Sequence, residues 1–269
     1  MNRKKYLLIS FVIILSLSVI LTGCGEKKSV DNSLNDIKEK GYFVVGLDDS
    51  FPPMGFRDNS GEIVGFDIDL AKAVAEKMGV DVKFQPVEWD GVVLSLKKGD
   101  IDVIWNGLTV TEEREENIDF SDAYLANRQA IIVGRDSEIK DRSDLKDKIV
   151  GIQMGSSSEK ALASDDELTN SLKEVRKYSN NVEALLDLKA GRLEAVIVDE
   201  IVGRYYTAKK QDEYKILEDY LAEESYAVGV REEDDSFTEE LNKILKEIKE
   251  DGTGKTISEK WFGEDILVK

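Results

Sequence analysis

Leu94-Ser95-Leu96-Lys97-Lys98-Gly99-Asp100-Ile101-Asp102-Val103-Ile104-Trp105-Asn106-Gly107-Leu108-Thr109-Val110-Thr111-Glu112-Glu113-Arg114 holds a helix end, a strand, a turn and a helix start in one uninterrupted run. Gly99 closes a short helix that begins after Trp89-Asp90-Gly91 and has Val93, Leu94 and Leu96 as its apolar members. Residues 101–105 read as a buried strand. Asn106, Gly107 and two threonines then fill the turn with short donors and acceptors. Thr111 suits an N-cap, and Glu112 and Glu113 suit the positive end of a helix. Arg114 does not, because a cation in the first turn opposes the helix dipole at a cost of roughly a few tenths of a kcal/mol. A guanidinium fork beside free backbone and hydroxyl donors is instead suited to a carboxylate. The alternative is a surface arginine paired with a neighbouring glutamate.

The helix–glycine–strand unit recurs. Leu186-Asp187-Leu188-Lys189-Ala190-Gly191-Arg192-Leu193-Glu194-Ala195-Val196 matches residues 94–104 in the pattern L-x-L-K-x-G-x-[IL]-[DE]-[VA]-[IV], which predicts two similar lobes. Upstream, 42–47 reads as a strand and Asp48-Asp49-Ser50-Phe51-Pro52-Pro53 breaks it. Phe66, Leu70, Val74 and Met78 recur every fourth residue as a helix stripe, and Val80, Val82 and Phe84 alternate as a strand. The order is βαβαβ, so the fold class is α/β, with a mostly parallel sheet flanked by helices in each lobe. In the second half, 148–152 and 174–178 read as strands, 182–189 as a helix and 193–198 as a strand. The stretches 129–133 and 223–230 are candidate crossover strands, and 237–248 is an amphipathic helix.

The chain has 269 residues, 41% of them hydrophobic, enough for one large or two modest cores. Its net charge is −18; Arg3, Lys4 and Lys5 supply +3, so the remainder carries −21. That charge opposes binding to nucleic acid or anionic lipid. The basic start, the apolar stretch 6–22 and Gly23-Cys24 read as a targeting segment. Leu21-Thr22-Gly23-Cys24 resembles a bacterial lipoprotein processing site, with Cys24 receiving the lipid; a noncleaved anchor is the alternative. Residues 1–23 are then a signal peptide and 24–39 a lipid-attached flexible tether. Cys24 is the only cysteine and histidine is absent, so neither a disulfide nor Cys or His chemistry is expected. Metal is not expected either, because the carboxylates show no calcium-loop spacing.

Ligands of open α/β sheets sit beyond the carboxyl ends of strands. There the sequence places Asp48 and Phe51, then Trp89, then Asn106, Gly107, Thr109 and Arg114, then Ser156 and Ser157, and finally Asp199. One cation, a serine-rich helix start, carboxylates and two aromatics complement a free amino acid. Singly, each has a plainer reading: Asp199 and Ser156–Ser158 as helix caps, Phe51 and Trp89 as core. Jointly they fall at the same edge of two sheets.

The runs Gly65-Phe66-Asp67-Ile68-Asp69-Leu70 and Leu108-Thr109-Val110-Thr111-Glu112-Glu113-Arg114, with Gly46–Pro53, Asp119–Ser121, Gly151–Ser158, Val198–Glu200 and Asp251–Thr253, resemble the extracytoplasmic solute-binding proteins of ATP-driven polar amino-acid importers. The resemblance implies a two-lobed periplasmic-binding-protein fold (type II), with two crossover strands at the hinge. Lobe 1 would be 40–128 plus 225–269, and lobe 2 would be 129–224. Arg114 would bind the ligand carboxylate with Ser157 and Thr109, and Asp199 the α-amino group with Asn106 or Gly107. Phe51 and Trp89 would wall the side chain, and Asp48 would face its end. It further implies no cofactor, delivery of a polar amino acid to ABC permease subunits, and a monomer lipid-anchored on the outer face of a bacterial membrane of Gram-positive type, or in the periplasm if there are two membranes. Asn106-Gly107 is closer to glutamine-type relatives and Trp89-Asp90-Gly91 to cystine-type ones, and basic ligands also fit. The competing functions are an enzyme on the same fold, dehydratase-like, and a ligand-sensing module. Without histidine or free cysteine, the enzyme reading rests on carboxylates or lysines alone.

Overall fold

The computed structural model describes residues 31–268; the signal peptide, Cys24 and the start of the tether lie outside the described residues. The chain begins with α1 (Ser33–Lys40), β1 (Tyr42–Leu47) and three short strands, β2 (Ser50–Phe51), β3 (Gly55–Arg57) and β4 (Ile63–Val64). Then come α2 (Phe66–Met78), β5 (Asp81–Pro86), α3 (Val92–Lys98), β6 (Val103–Ile104), α4 (Glu112–Glu115) and β7 (Asp119–Phe120). The middle holds β8 (Leu125–Gly134), β9 (Ile149–Gln153), α5 (Ser157–Ala163), α6 (Asp166–Ser171), β10 (Glu174–Tyr178), α7 (Asn181–Lys189), β11 (Ala195–Asp199), α8 (Glu200–Lys209) and β12 (Tyr214–Tyr226). The end holds β13 (Gly229–Val230), α9 (Asp235–Glu250) and α10 (Thr253–Phe262).

Two five-stranded sheets result, in the orders β5-β1-β6-β13-β7 and β10-β9-β11-β8-β12. In each, three strands run parallel and the other two pair antiparallel. This is the two-lobed α/β architecture, and its antiparallel share comes from the strands that carry the chain across and back. β8 extends beyond the expected 129–133, whereas β12 starts earlier than the expected 223–230 and ends at Tyr226; the two pair from Tyr214↔Gly134 to Tyr226↔Leu125. The sheets are covered on both faces, which explains the unbroken apolar runs. In β11, for example, Ala195 and Ile197 enter one core, while Val196 and Val198 enter the other.

The internal repeat is reproduced in its hydrogen bonds and close contacts. Asp102 and Glu194 each accept the amide of the adjoining parallel strand, from Val44 and Ile149, at 2.8 Å in both cases. Their own amides donate back to the carbonyls of the same two residues, at 2.8 and 2.9 Å. Ile101 and Leu193 lie over Gly46 and Gly151, where a Cβ would meet their terminal methyls at 2.3 and 2.5 Å. These two glycines exist for close approach, not for turn geometry. The repeat's first leucine faces water in both copies, Leu94 being 55% and Leu186 51% exposed. Leu94 is therefore not a core member of α3; Val92 and Leu96 fill that role because the helix turns them onto the sheet.

Three features were not legible from periodicity. The tether does not extend to residue 39, since Ser33–Lys40 is helical, buries Ile37 and is tied to α9 by Ser33 and Ser236 at 3.1 Å. The strands β2–β4 form a small separate sheet, which holds Phe51 at its start. Asp67, in the first turn of α2, is fully buried and accepts the Gly107 amide at 2.7 Å, so it holds the turn that follows β6. Burial pushes its carboxyl up to about 7 against the pull of that bond. Among the described residues no helix is long and apolar enough to cross a membrane.

Gly46→Ala should cost about 1–3 kcal/mol in denaturant unfolding through overpacking against Ile101. Ile101→Val in the same chain should recover part of that loss, and strict additivity of the two changes would refute the contact. Asp67 holds a proton in the folded state over a range where the unfolded chain has lost it, so its contribution favours folding below about pH 4 and is lost as pH rises toward 7. Asp67→Asn keeps an acceptor for Gly107 and should flatten this slope by on the order of a few kcal/mol, read from unfolding midpoints between pH 4 and 8.

Candidate ligand-binding site

The carboxyl ends of both sheets face one cleft, and each loop there is set by local chemistry. After β6, Thr111 accepts the Arg114 amide at 3.3 Å and caps the single turn α4, as its sequence suggests. That turn aims the Arg114 guanidinium back over its own loop. It donates to the Thr109 carbonyl at 2.7 Å and, across the cleft, to the Gly155 carbonyl at 3.3 Å. The guanidinium also lies 5.9 Å from the centre of the Trp89 ring. Burial pulls Arg114 down from its ordinary value, and Asp199 and Glu224 pull it back up.

On the second sheet, Ser156 caps α5 by accepting the Glu159 amide at 3.3 Å and donates to the Gln153 carbonyl at 2.7 Å. The capping reading therefore holds for Ser156, whose hydroxyl is occupied. Ser157 is placed differently: its hydroxyl meets Thr109 across the cleft at 3.0 Å and accepts from Gln129 at 3.0 Å. Asp199 precedes α8 without capping it. Its Oδ1 instead accepts from Asn127 at 2.7 Å, the Tyr226 hydroxyl at 2.7 Å and Gln129 at 3.0 Å. Burial, then the neighbouring charge of Glu224, pushes the Asp199 carboxyl up to about 7. Burial and Asp199 push the Tyr226 hydroxyl well above its ordinary value, which keeps it a donor.

Asp48 is buried and bonded on both oxygens. Oδ1 accepts from the Ser50 amide at 2.9 Å and its hydroxyl at 2.6 Å, and Oδ2 accepts from Gln153 of the second sheet at 2.8 Å. Asn106 accepts the Asp48 amide at 3.1 Å, so its role is to hold the end of β1, and its amide nitrogen has no partner among the described residues. Gly107 does not offer a free amide, because Asp67 takes it. It is a glycine at φ +59° because a Cβ there would strike Phe51 at 2.9 Å and Tyr226 at 3.0 Å. Phe51 and Trp89 lie parallel, 7° apart in plane with centres 6.5 Å apart.

The cleft therefore brings Arg114, Thr109, Ser157 and Asp199 together, with Trp89 beside the Arg114 guanidinium, Phe51 parallel to Trp89 and Asp48 bonded to Gln153 of the second sheet. A groove of about 690 Å³, lined by Trp89, Arg114, Ser156 and Ser157, leads to it. Sequence reasoning missed Asn127, Gln129, Gln153, Glu224 and Tyr226. The first two were detectable as polar residues heading the apolar run of β8.

A family model described as bacterial extracellular solute-binding proteins, family 3, matches residues 43–264. The L-cystine-binding protein TcyJ of Escherichia coli K12 is 31% identical over 250 residues, covering 92% of each chain. The arginine-binding extracellular protein ArtP of Bacillus subtilis is 31% identical over 261 residues, covering 96% of this chain and 98% of its own. Among solved structures, an ABC uptake transporter substrate-binding protein from Streptococcus pneumoniae with bound histidine superposes with a TM-score of 0.86 at 37% identity, over 89% of this chain and 99% of that one. With its two-lobed fold and a match over most of its length, this chain belongs to the bacterial extracellular solute-binding proteins of family 3.

Proposed function

We propose that this protein binds a polar amino acid between its lobes, outside the cell membrane, and delivers it to the permease of an ABC importer. The observation that carries this reading is the separation of charge in the cleft. Arg114 stands on one side, and Asp199, with its donors, on the other. A zwitterion supplies the missing partner to each. The carboxylate lies on Arg114 with the Ser157 hydroxyl and with the Thr109 hydroxyl turned to it from Glu224, and the ammonium lies on Asp199. The side chain runs between Phe51 and Trp89 toward Asp48. A planar cation suits two aromatic faces and a carboxylate, so we place arginine first, ahead of glutamine, histidine and cystine. Relatives include an arginine-binding and an L-cystine-binding protein.

The remaining organisation follows from the same reading. Residues 1–23 are removed, Cys24 carries lipid on a tether that ends before α1, lobe 1 comprises α1 with 41–128 and 225–269, and lobe 2 comprises 129–224. The protein acts as a monomer held to the outer face of the membrane. Incorporation of a labelled fatty acid that is lost in Cys24→Ala tests the anchor. A catalytic role has less support, because histidine is absent and the relatives described above are amino-acid-binding proteins.

A thermal-shift screen of the common amino acids with ornithine and cystine should give its largest rise with L-arginine, about 2.7 kcal/mol of stabilisation at ~100 times the dissociation constant. No shift with any of them would refute the function. Arg114→Ala should weaken binding by roughly 3–5 kcal/mol in calorimetry, because the ligand carboxylate is then buried unpaired. Arg114→Lys should lose much of it too, since the planar fork is gone. Near-normal affinity in Arg114→Ala would remove the carboxylate clamp.

A further inference from the structure

The floor of the cleft contains a second acid that the binding scheme above does not use. Glu224, on β12, accepts through Oε2 from Gln129 at 2.9 Å, the Thr109 hydroxyl at 3.1 Å and Asn127 at 3.2 Å. The same two amide nitrogens serve Asp199 Oδ1, Asn127 at 2.7 Å and Gln129 at 3.0 Å. Because one Gln129 nitrogen is bonded to both carboxylates, their nearest oxygens are at most about 6 Å apart. Neutral amides bridge two acids that repel each other, and a cation placed between them would relieve that repulsion.

The two acids differ in access. Asp199 is 4% exposed. Glu224 is half-buried and lines a second groove of about 530 Å³, with Thr111, Ser157 and Lys160. The charged and titratable groups around the pair are Arg114 on α4, Tyr226 on β12 and, at the groove, Glu112, Lys160, Asp165, Asp166 and Glu223. Arg128 is turned away, paired with Glu200 at 2.6 Å. Lys160 lies 3.4 Å from Glu113.

We propose that Glu224 is a ligand-binding residue, the second carboxylate of a receptor whose first carboxylate is Asp199 and whose guest is the α-ammonium of the bound amino acid. This rests on the amino-acid reading of the cleft. The ammonium has three N–H donors and a full positive charge, enough to bond both acids at once. Burial and the charge of Glu224 raise Asp199 to about 7, so that in the unliganded cleft a sizeable share of it holds a proton near neutral pH. Ligand entry then breaks the Asp199 O–H bond. The ammonium keeps its three protons, and the released proton passes to water along the groove beside Glu224, at most one per ligand. Proton and ligand compete for the same oxygen, so affinity falls as pH falls through neutrality.

The test is calorimetric titration of the full chain with L-arginine from pH 5.5 to 8, in pairs of buffers of different ionisation enthalpy. The wild-type protein should release a fraction of a proton near pH 6.5 and bind more weakly as pH falls. Glu224→Gln keeps the side chain's size and an oxygen to accept from Thr109 and the amides. It should bind about ten- to a hundredfold more weakly at pH 8, with less proton release and the acid limb of its affinity profile moved to lower pH. Glu224→Asp keeps the charge and should leave the limb near its wild-type position. Wild-type affinity and proton release in Glu224→Gln would overturn the proposal. So would a uniform loss of affinity with the pH profile unmoved, which marks a purely structural bond. A wild-type chain that binds no amino acid would instead bring down the functional reading, and this one with it.

Discussion

A guanidinium and two carboxylates share one closed cleft without forming an ion pair with each other among the described residues. Arg114 is held by backbone carbonyls, while Asp199 and Glu224 are held by amides and hydroxyls. If the opposite charges met directly, each would satisfy the other, and a zwitterion would have to break the pair to enter. Held apart on neutral partners, both keep capacity for an outside charge. Such an arrangement is costly where the groups are shielded from water, as Asp199 is, because unpaired buried charge is disfavoured by several kcal/mol. The cost is visible in Asp199, whose carboxyl is pushed far above its usual range, and in the opposing pulls on Arg114.

The fold holds these groups apart by building the same unit twice. In each sheet a helix, a glycine turn and a strand lie beside a first strand with one glycine, Gly46 or Gly151. An isoleucine or leucine fills the space that the missing side chain leaves. An acidic residue then locks the strand register by taking an amide of the first strand. The loops beyond those strands carry the candidate site, so the repeat sets the two rims of the cleft. The floor is not part of the repeat. It comes from β8 and β12, whose antiparallel ladder brings Asn127 and Gln129 beside Glu224 and Tyr226.

Local signals were therefore reliable wherever a residue's role is local. Thr111 caps α4, the stripe from Phe66 to Met78 is buried, and Gly79, Gly99 and Gly191 take the left-handed conformation that ends helices. They failed where the role depends on what packs opposite. Ser156 and Ser157 are adjacent and alike, yet one caps its own helix and the other crosses the cleft. Asn106 and Gly107 lie at the cleft but serve Asp48 and Asp67. Residues 33–39 looked polar enough for a tether, and with Lys40 become a helix because Ile37 finds a buried seat and Ser33 meets α9.

By itself the sequence determined the α/β class, the duplication, the helix ends and the cation at Arg114, since each of these is written in spacing, in glycine position or in a charge that opposes its own helix. Only the tertiary structure decided which acids and amides surround the site. Asn127, Gln129, Glu224 and Tyr226 come from two strands separated by some ninety residues of chain, and no periodicity records the pairing that brings them to one point. Hydrogen bonding and repulsion between such groups depend on distances of a few ångströms, which the folded sheet sets.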